Sequence, residues 1–349
     1  MTADSGRLDV QQSRRRRRLL NAVKLAVSGA IFYYIFSRYI RYEDLLAALK
    51  YVRPDLFVYL LVISLAGRYL SAYQIHYYFK KVFASRLGTA FVFKAQLISS
   101  FYGLVLPGDL AGGVITWYMI ADKSGEKAAS ASVIIFLRML SIITLIAFTA
   151  AGLIFEERML DLNLRMYTTF PAILFLLMFI PFVSFRAATA AKRVMRAILL
   201  RTPLPAWRNK LDRLNGRLWD SVIACTRIDP GVMLWTVVLS VLYHLLLILF
   251  TYLLMVMVGI HLPFQVSVWL LGVVNLVQML PVSLMGMGVR DISIIYLLGK
   301  YYQVAPESSL ILSTFFLGFS LIFVLMGGLA VLMGGTPERA KLSGYPQPD

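Results

Sequence analysis

Apolar residues in this chain run in blocks about as long as a bilayer is thick. A helix needs about 20 apolar residues to cross the hydrocarbon core. Residues 19–37, 56–74, 128–154, 167–185, 232–258 and 308–333 are of that order. Two further blocks, 91–106 and 266–280, are short for a span. Each ends at a proline followed by glycines: Pro107-Gly108-Asp109 with Gly112 and Gly113, and Pro281 with Gly286 and Gly288. The apolar pattern then resumes, over 114–120 in the first case and up to Leu298 in the second. These two regions predict helical hairpins that return to their starting side. Residues 41–53 predict a short amphipathic helix at the interface, with Leu45, Leu46 and Leu49 beside Glu43, Asp44 and Lys50.

The fold class that follows is an all-α polytopic membrane protein. It has six to ten transmembrane helices, two proline/glycine-broken hairpins and inverted-topology repeats. Its organisation is a basic N-terminal segment (1–18), a single transmembrane domain (19–333) and a polar tail (334–349). Within the domain lie pseudo-repeats around 91–154 and 266–333 and a basic loop at 186–229.

Composition agrees: of 349 residues, 59% are hydrophobic and 15% charged, against about 25% charged in soluble domains. The mean hydropathy is +0.72. A net charge of +17 would suggest nucleic acid in a soluble protein. Here it reads as topology, because Lys and Arg collect in cytoplasmic loops, and no nucleic-acid partner is expected. The five arginines of 14–18 hold the N-terminus inside. Lys80, Lys81, Arg86 and Lys94 are also inside. So are the ten Lys/Arg, set against three Asp, of 186–229, and Arg339 and Lys341 in the tail. Glu156, Glu157 and His261 fall outside. Arg38, Arg41, Lys50 and Arg53 land outside against the rule. The predicted location is the inner (plasma) membrane, with both termini cytoplasmic.

Several chemistries find no motif. One cysteine, Cys225, allows no intrachain disulfide. His76, His244 and His261 form no HExxH or Cys/His cluster, so neither a metal nor a cofactor is expected. No GxxxxGK[ST] phosphate loop is present.

The two broken regions resemble each other. Leu-Pro-Gly-Asp-Leu-Ala-Gly-Gly-Val-Ile-Thr from Leu106 parallels Leu-Pro-Val-Ser-Leu-Met-Gly-Met-Gly-Val-Arg-Asp from Leu280. Three spans separate them, so they enter from opposite faces, the pattern of inverted repeats with a site near the midplane. Unwound backbone is tolerated at membrane depth only where protein or a water-filled cavity surrounds it. A helix that restarts after a break offers free N–H groups to an anion.

Charges stand near these breaks. Arg290 and Asp291 follow Gly288, Asp109 lies inside the first break, and Arg138 is alone in an apolar span. A charge at that depth costs at least a few kcal/mol, so it faces the protein interior or a cavity. The planar fork of Arg suits phosphate. The candidate substrate-binding set is Arg290, Asp291, Arg138, Asp109, Ser283, Gly286, Gly288, Pro281, Pro107 and Gly108. Each member has a structural alternative. Arg290 and Asp291 can pair with each other, Asp109 can cap the helix that restarts at Leu110, and Arg138 can pair with Asp109 or Asp291. The glycines can serve close helix packing. Asn275 and Gln278 read as helix–helix glue, His244 as a satisfied core residue, and Trp117, Trp235 and Trp269 as interfacial anchors.

LPGDLAGGVITWYMI, FLRM around Arg138 and LPVSLMGMGVRD together resemble the lysylphosphatidylglycerol synthase transmembrane, or flippase-like, family over about residues 19–333. The family's second motif resembles P-x-S-x-G-G-x-G-V-R-E. Pro281, Ser283, Gly286, Gly288, Val289 and Arg290 match it, while Asp291 stands for Glu and Met285 for Gly. In the first motif Phe-Tyr-Gly precedes Leu-Val-Leu-Pro where Asn-Leu-Pro is common, and Trp117 stands near the place of a frequent Arg. Arg138 alone remains of an Asp-Arg pair in the next span. The resemblance implies a lipid-handling membrane protein. Family members include the part of aminoacyl-phospholipid synthases that moves lipid between leaflets, and others belong to polyprenyl-phosphate sugar or hopanoid pathways. No stretch after Met333 is long enough for the soluble transferase domain, so synthesis of lysylphosphatidylglycerol is not expected.

Three functions are open at this level. The first is a transporter that moves an anionic or polyprenyl-phosphate-linked lipid between leaflets. Arg290 and Arg138 would hold the phosphate, Asp291 would tune them and Asp109 would carry a proton. The second is a membrane enzyme of lipid or glycolipid biosynthesis. The third is a non-catalytic subunit working with lipid-pathway enzymes. The ligand in every case is a membrane phospholipid or polyprenyl-phosphate lipid.

Overall fold

The computed structural model describes residues 53–83, 87–103, 110–156, 184–201, 228–278 and 289–335, with scattered residues between 177 and 226. Among these the secondary structure is helical. In chain order the α-helices are α1 (Pro54–Phe83), α2 (Thr89–Gly103), α3 (Leu110–Ser124), α4 (Lys127–Ile154), α5 (Phe185–Arg201), α6 (Pro230–Met257), α7 (Phe264–Gln278), α8 (Val289–Tyr302) and α9 (Pro306–Ala330). A short π-helical turn, Val331–Gly335, follows α9. Four of them, α1, α4, α6 and α9 with its π turn, are long and apolar enough to cross a membrane. The expected first span (19–37), the amphipathic 41–53 and most of 167–185 lie outside the described residues.

Local chemistry sets the boundaries. The Asp229 carboxylate caps α6, accepting from the N–H groups of Gly231 (2.8 Å) and Val232 (3.2 Å), and Pro230 takes the first helical position. α9 also opens on a proline, Pro306, with Glu307 in the first turn, where an acid complements the helix dipole. Gly259, at φ 82°, ends α6 in the left-handed region that costs glycine nothing. One boundary differs from the sequence reading. α1 continues past Gln74 to Phe83, because Ile75, Tyr78 and Phe79 keep burying one face.

Apart from α5, the described helices fall into two sets of four with the same order of lengths. α1 to α4 have 30, 15, 15 and 28 residues, and α6 to α9 have 28, 15, 14 and 25. A 15-residue helix is about 22 Å long, less than the hydrocarbon core of about 30 Å. The short pairs α2–α3 and α7–α8 flank the two proline/glycine breaks, and each pair packs together. The short first arm of each set crosses the long last helix of the other: α2 packs on α9 and α7 on α4. The long first helices, α1 and α6, pack on each other. The unit that recurs is therefore one helix longer than the pseudo-repeats read from the breaks alone.

Glycines allow both crossings. A Cβ on Gly327 of α9 would stand 2.0 Å from the Leu97 carbonyl oxygen of α2. A Cβ on Gly272 of α7 would stand 1.6 Å from the Thr149 hydroxyl of α4, and one on Gly152 would stand 3.0 Å from the Trp269 backbone nitrogen. Such approaches are how helices gain van der Waals contact where lipid offers no hydrophobic drive.

Two apolar clusters mark opposite ends of the bundle. One joins the end of α1 (Tyr78, Phe79), the start of α2 (Val92), the end of α3 (Ile120), the start of α4 (Ala129, Val133) and the start of α6 (Met233). It also takes in Ala188 of α5 with Val222 and Cys225. The other joins the start of α1 (Leu56), the ends of α4 (Leu153) and α6 (Met257), the start of α7 (Val266), the end of α8 (Leu298) and the start of α9 (Ile311). The α2–α3 pair therefore rises from one end and the α7–α8 pair from the other. α5 lies at the first end and forms ion pairs to the segment after it, Lys192–Asp220 (2.5 Å) and Arg196–Asp212 (3.4 Å). The outer faces of the long helices carry Val58, Val62, Leu242, Leu245, Leu249, Leu325 and Leu329, all exposed, as lipid-facing positions must be.

Candidate functional site

Between the two sets lies a cavity of about 550 Å³. Each wall is one stripe of a helix, spaced at three or four residues. α1 contributes Ser64, Arg68, Ser71 and Ile75, and α2 contributes Gln96, Ser99, Ser100 and Gly103. α4 contributes Ile134, Leu137, Arg138 and Ser141. α6 contributes Tyr243, Leu247, Phe250 and Thr251, and α9 contributes Phe316, Phe319, Ser320 and Phe323. Gly113 and Thr116 of α3, Leu271, Asn275 and Gln278 of α7 and Arg290 and Ile294 of α8 also line it. The lining thus mixes cationic and polar side chains with aromatic ones. The described lining residues include three arginines and no carboxylate.

The cationic groups are held in place. Arg290, in the first turn of α8, is 5% exposed. Its Nε donates to the Ser313 hydroxyl of α9 (3.0 Å) and its Nη2 to the Asp291 carboxylate (3.4 Å). The Ser313 hydroxyl in turn donates to the same Asp291 oxygen. The mutual pairing expected of Arg290 and Asp291 is present, and Arg290 still lines the cavity. Arg138 lines the same space from within α4. Asp109, Pro107, Gly108, Pro281, Ser283, Gly286 and Gly288 lie outside the described residues.

Sequence reasoning missed Arg68. It sits near the midpoint of α1, its Nη1 donates to the Ser100 hydroxyl of α2 (2.7 Å), and its guanidinium lies 4.1 Å over the Phe323 ring of α9. One residue thus ties both sets together at the cavity wall. Next to it the Gln96 amide donates to the Ser71 hydroxyl (2.9 Å). The signal was available: Ser64, Arg68 and Ser71 form a polar stripe at helical spacing inside an apolar block.

Other residues settle on the structural side. The His244 Nδ1 lies 2.8 Å from the Ser240 carbonyl and its Nε2 lies 3.5 Å from the Ser141 hydroxyl. It is a partnered histidine at the edge of the cavity, as its place in an apolar span suggested. The Asn275 amide corrects the expectation of helix–helix glue: it donates within its own helix, to the Leu271 carbonyl (2.8 Å), and Asn275 and Gln278 both line the cavity. Trp269 corrects the expectation of an interfacial anchor: it is fully buried, at the α4–α7 crossing, and stacks on Tyr302. The close approach of Gly152 leaves its indole inside the protein. Trp117 donates from its indole nitrogen to the Lys127 carbonyl (3.0 Å), and Trp235 is exposed.

A cavity lined by guanidinium groups and phenylalanines together can take an amphiphile with an anionic head. No curated protein and no solved structure matches the chain. The family model described as "Lysylphosphatidylglycerol synthase TM region" does match, over residues 21–328. With most of its length covered, the chain belongs to that family of membrane proteins.

Proposed function

We propose that the chain is a lipid transporter, which binds an anionic lipid by its headgroup in the arginine-lined cavity and passes it between the leaflets of the inner membrane. The observation that carries this reading is the mixed lining of the cavity. Arg68, Arg138 and Arg290 face the same space as Phe316, Phe319 and Phe323. A soluble anion needs only the arginines, whereas a lipid head with the first carbons of its chains uses the phenylalanines as well. Burying one arginine within a membrane bundle costs a few kcal/mol. Three in one cavity, with no carboxylate among the described lining residues, favour an anionic ligand there. On this reading both termini are cytoplasmic, movement is downhill or ion-coupled with Asp109 as proton carrier, and enzymes that make or use the lipid are the partners.

Leaflet translocation in proteoliposomes tests the proposal. Purified protein accelerates the movement of labelled anionic lipid, and a folded Arg290→Gln variant loses about tenfold or more of that rate, the scale of one charge-assisted hydrogen bond. No acceleration over protein-free liposomes, across anionic, zwitterionic and polyprenyl-phosphate lipids, contradicts the proposal.

A further inference from the structure

Among the described helices α5 stands outside the two sets of four. At 3.6 residues per turn its positions sort into two sides. Ala187, Ala188, Ala191, Val194 and Met195 fall on one, and Arg186, Thr189, Lys192, Arg193 and Arg196 on the other. A cationic side opposite an apolar one is the pattern of a helix that lies in a membrane–water interface. Ala188 sets where the apolar side points: it is fully buried, in the apolar cluster at that end of the bundle. Val194 and Met195 follow on the same side, about 10 Å further along the helix, and both are exposed. The helix has therefore run past the edge of the bundle with its apolar side uncovered. At the end of a membrane bundle, that side meets the boundary between headgroups and acyl chains.

The cations divide along the helix as well. Lys192 pairs with Asp220 and Arg196 with Asp212, both in the segment that follows α5. Arg186 and Arg193, two turns apart on one exposed stripe, make no ion pair among the described residues. We infer that α5 is a lipid-contacting element separate from the cavity: it lies in the interface at that end of the bundle, with Val194 and Met195 at the acyl boundary and Arg186 and Arg193 on anionic phospholipid headgroups. Charge complementarity commits the face to an anionic leaflet surface. Each basic side chain near such a surface adds attraction that falls off within a Debye length. A second copy of the chain would bring the same cationic stripe against this one, a like-charge contact that disfavours it. The inference stands on α5 alone, so it holds or fails independently of the cavity's role.

The test places a bimane fluorophore on Val194→Cys in a Cys225→Ala background of the full-length protein. The protein sits in nanodiscs of mixed phosphatidylglycerol and phosphatidylcholine, with one lipid or the other brominated on its chains. Brominated phosphatidylglycerol quenches about threefold or more strongly than brominated phosphatidylcholine at about 0.05 M salt, and the preference fades at about 0.5 M. A bimane on Leu325→Cys, on an exposed face of α9, shows no such preference at either salt concentration. Replacing both Arg186→Gln and Arg193→Gln removes the preference at Val194 while quenching itself remains, because the apolar side still holds the helix down. Should that double variant fail to purify as a monodisperse protein, the salt series on the parent protein decides alone. Equal quenching by the two lipids at low salt overturns the anionic-lipid assignment. Quenching by aqueous iodide with none by either lipid places α5 in water and overturns the inference. Protection from both iodide and lipid shows a face covered by protein, a second copy or another segment, and overturns it too.

Discussion

At the scale of single residues, the proposed function rests on the arginines, and their neighbours hold the arginines. Arg290 is buried against Asp291 and Ser313. Removing one partner of a buried charge leaves the other uncompensated, which costs more than the pair contributes. Asp291→Asn is therefore expected to lower the melting temperature in detergent, by a loss of about 1–3 kcal/mol. Asp291→Glu, which restores the family's usual acid, should lose less, and differential scanning fluorimetry of the two variants checks this. Cys225 gives a prediction away from the site. Burial against Tyr78 and Phe136 pushes its thiol up to about 11, from an ordinary 9.0. The folded protein keeps the proton where the unfolded chain releases it. That contribution to stability is complete below about pH 9 and is lost as pH rises through about 11. At pH 7.5 a shift of two units lowers the thiolate population about 100-fold. Native protein should therefore label slowly with maleimide and denatured protein at once. Arg138 was legible in the sequence because an isolated charge in an apolar span has few alternatives. Arg68 obeyed the same rule, but Ser64, Ser71 and Gln74 around it made its block look merely less apolar. Only the contact between α1 and α9 shows that this stripe faces a cavity.

At the scale of elements, backbone proximity decides what can change. Gly327 meets a carbonyl oxygen of another helix, which cannot swing aside as a side chain can. Gly327→Ala should separate α2 from α9 and cost about 1–3 kcal/mol or more, as overpacking does. Gly272→Ala meets the Thr149 side chain instead, so pairing it with Thr149→Ala should recover part of the lost thermal stability. Gly318, with open space around its Cβ and no place in the cavity lining, should tolerate alanine and serve as the control. The hairpin arms were legible because a proline after a short apolar block interrupts a helix by plain sterics. The partner of each arm was not, since apolar helices match one another equally well in sequence. It took Gly152, Gly272 and Gly327 at the crossings to fix which helix each arm touches. The extension of α1 to Phe83 escaped notice because its last turns are Tyr-, His- and Lys-rich, with burial only on the Ile75, Tyr78 and Phe79 face.

At the scale of the molecule, two helix sets of matching order face each other with their broken pairs rising from opposite ends. Charge patterning anticipated which ends belong together: Lys80 and Lys81 at the end of α1 lie with the basic α5, and Glu156 at the end of α4 lies with the start of α7. In a Cys225→Ala background, cysteines introduced at Lys81 and at His261 should label from opposite faces of intact cells and inverted vesicles. Labelling from the same face would break the assignment of the two ends. The cavity itself could not be read from the sequence, because its wall draws one stripe from each of several distant helices.

The most direct measurement of the central claim is photocrosslinking from within the site. An anionic lipid with a diazirine on the carbons next to its headgroup is irradiated with the protein in nanodiscs, and the adducts are mapped by mass spectrometry. Adducts on the cavity stripes of α1, α2 and α9 around Arg68, Ser100 and Phe323, sharply reduced in Arg290→Gln, are the predicted result. Adducts confined to the exposed faces around Leu242, Leu249 and Leu325, unchanged by that substitution, would show a lipid that only surrounds the protein and would contradict a headgroup site between the two helix sets.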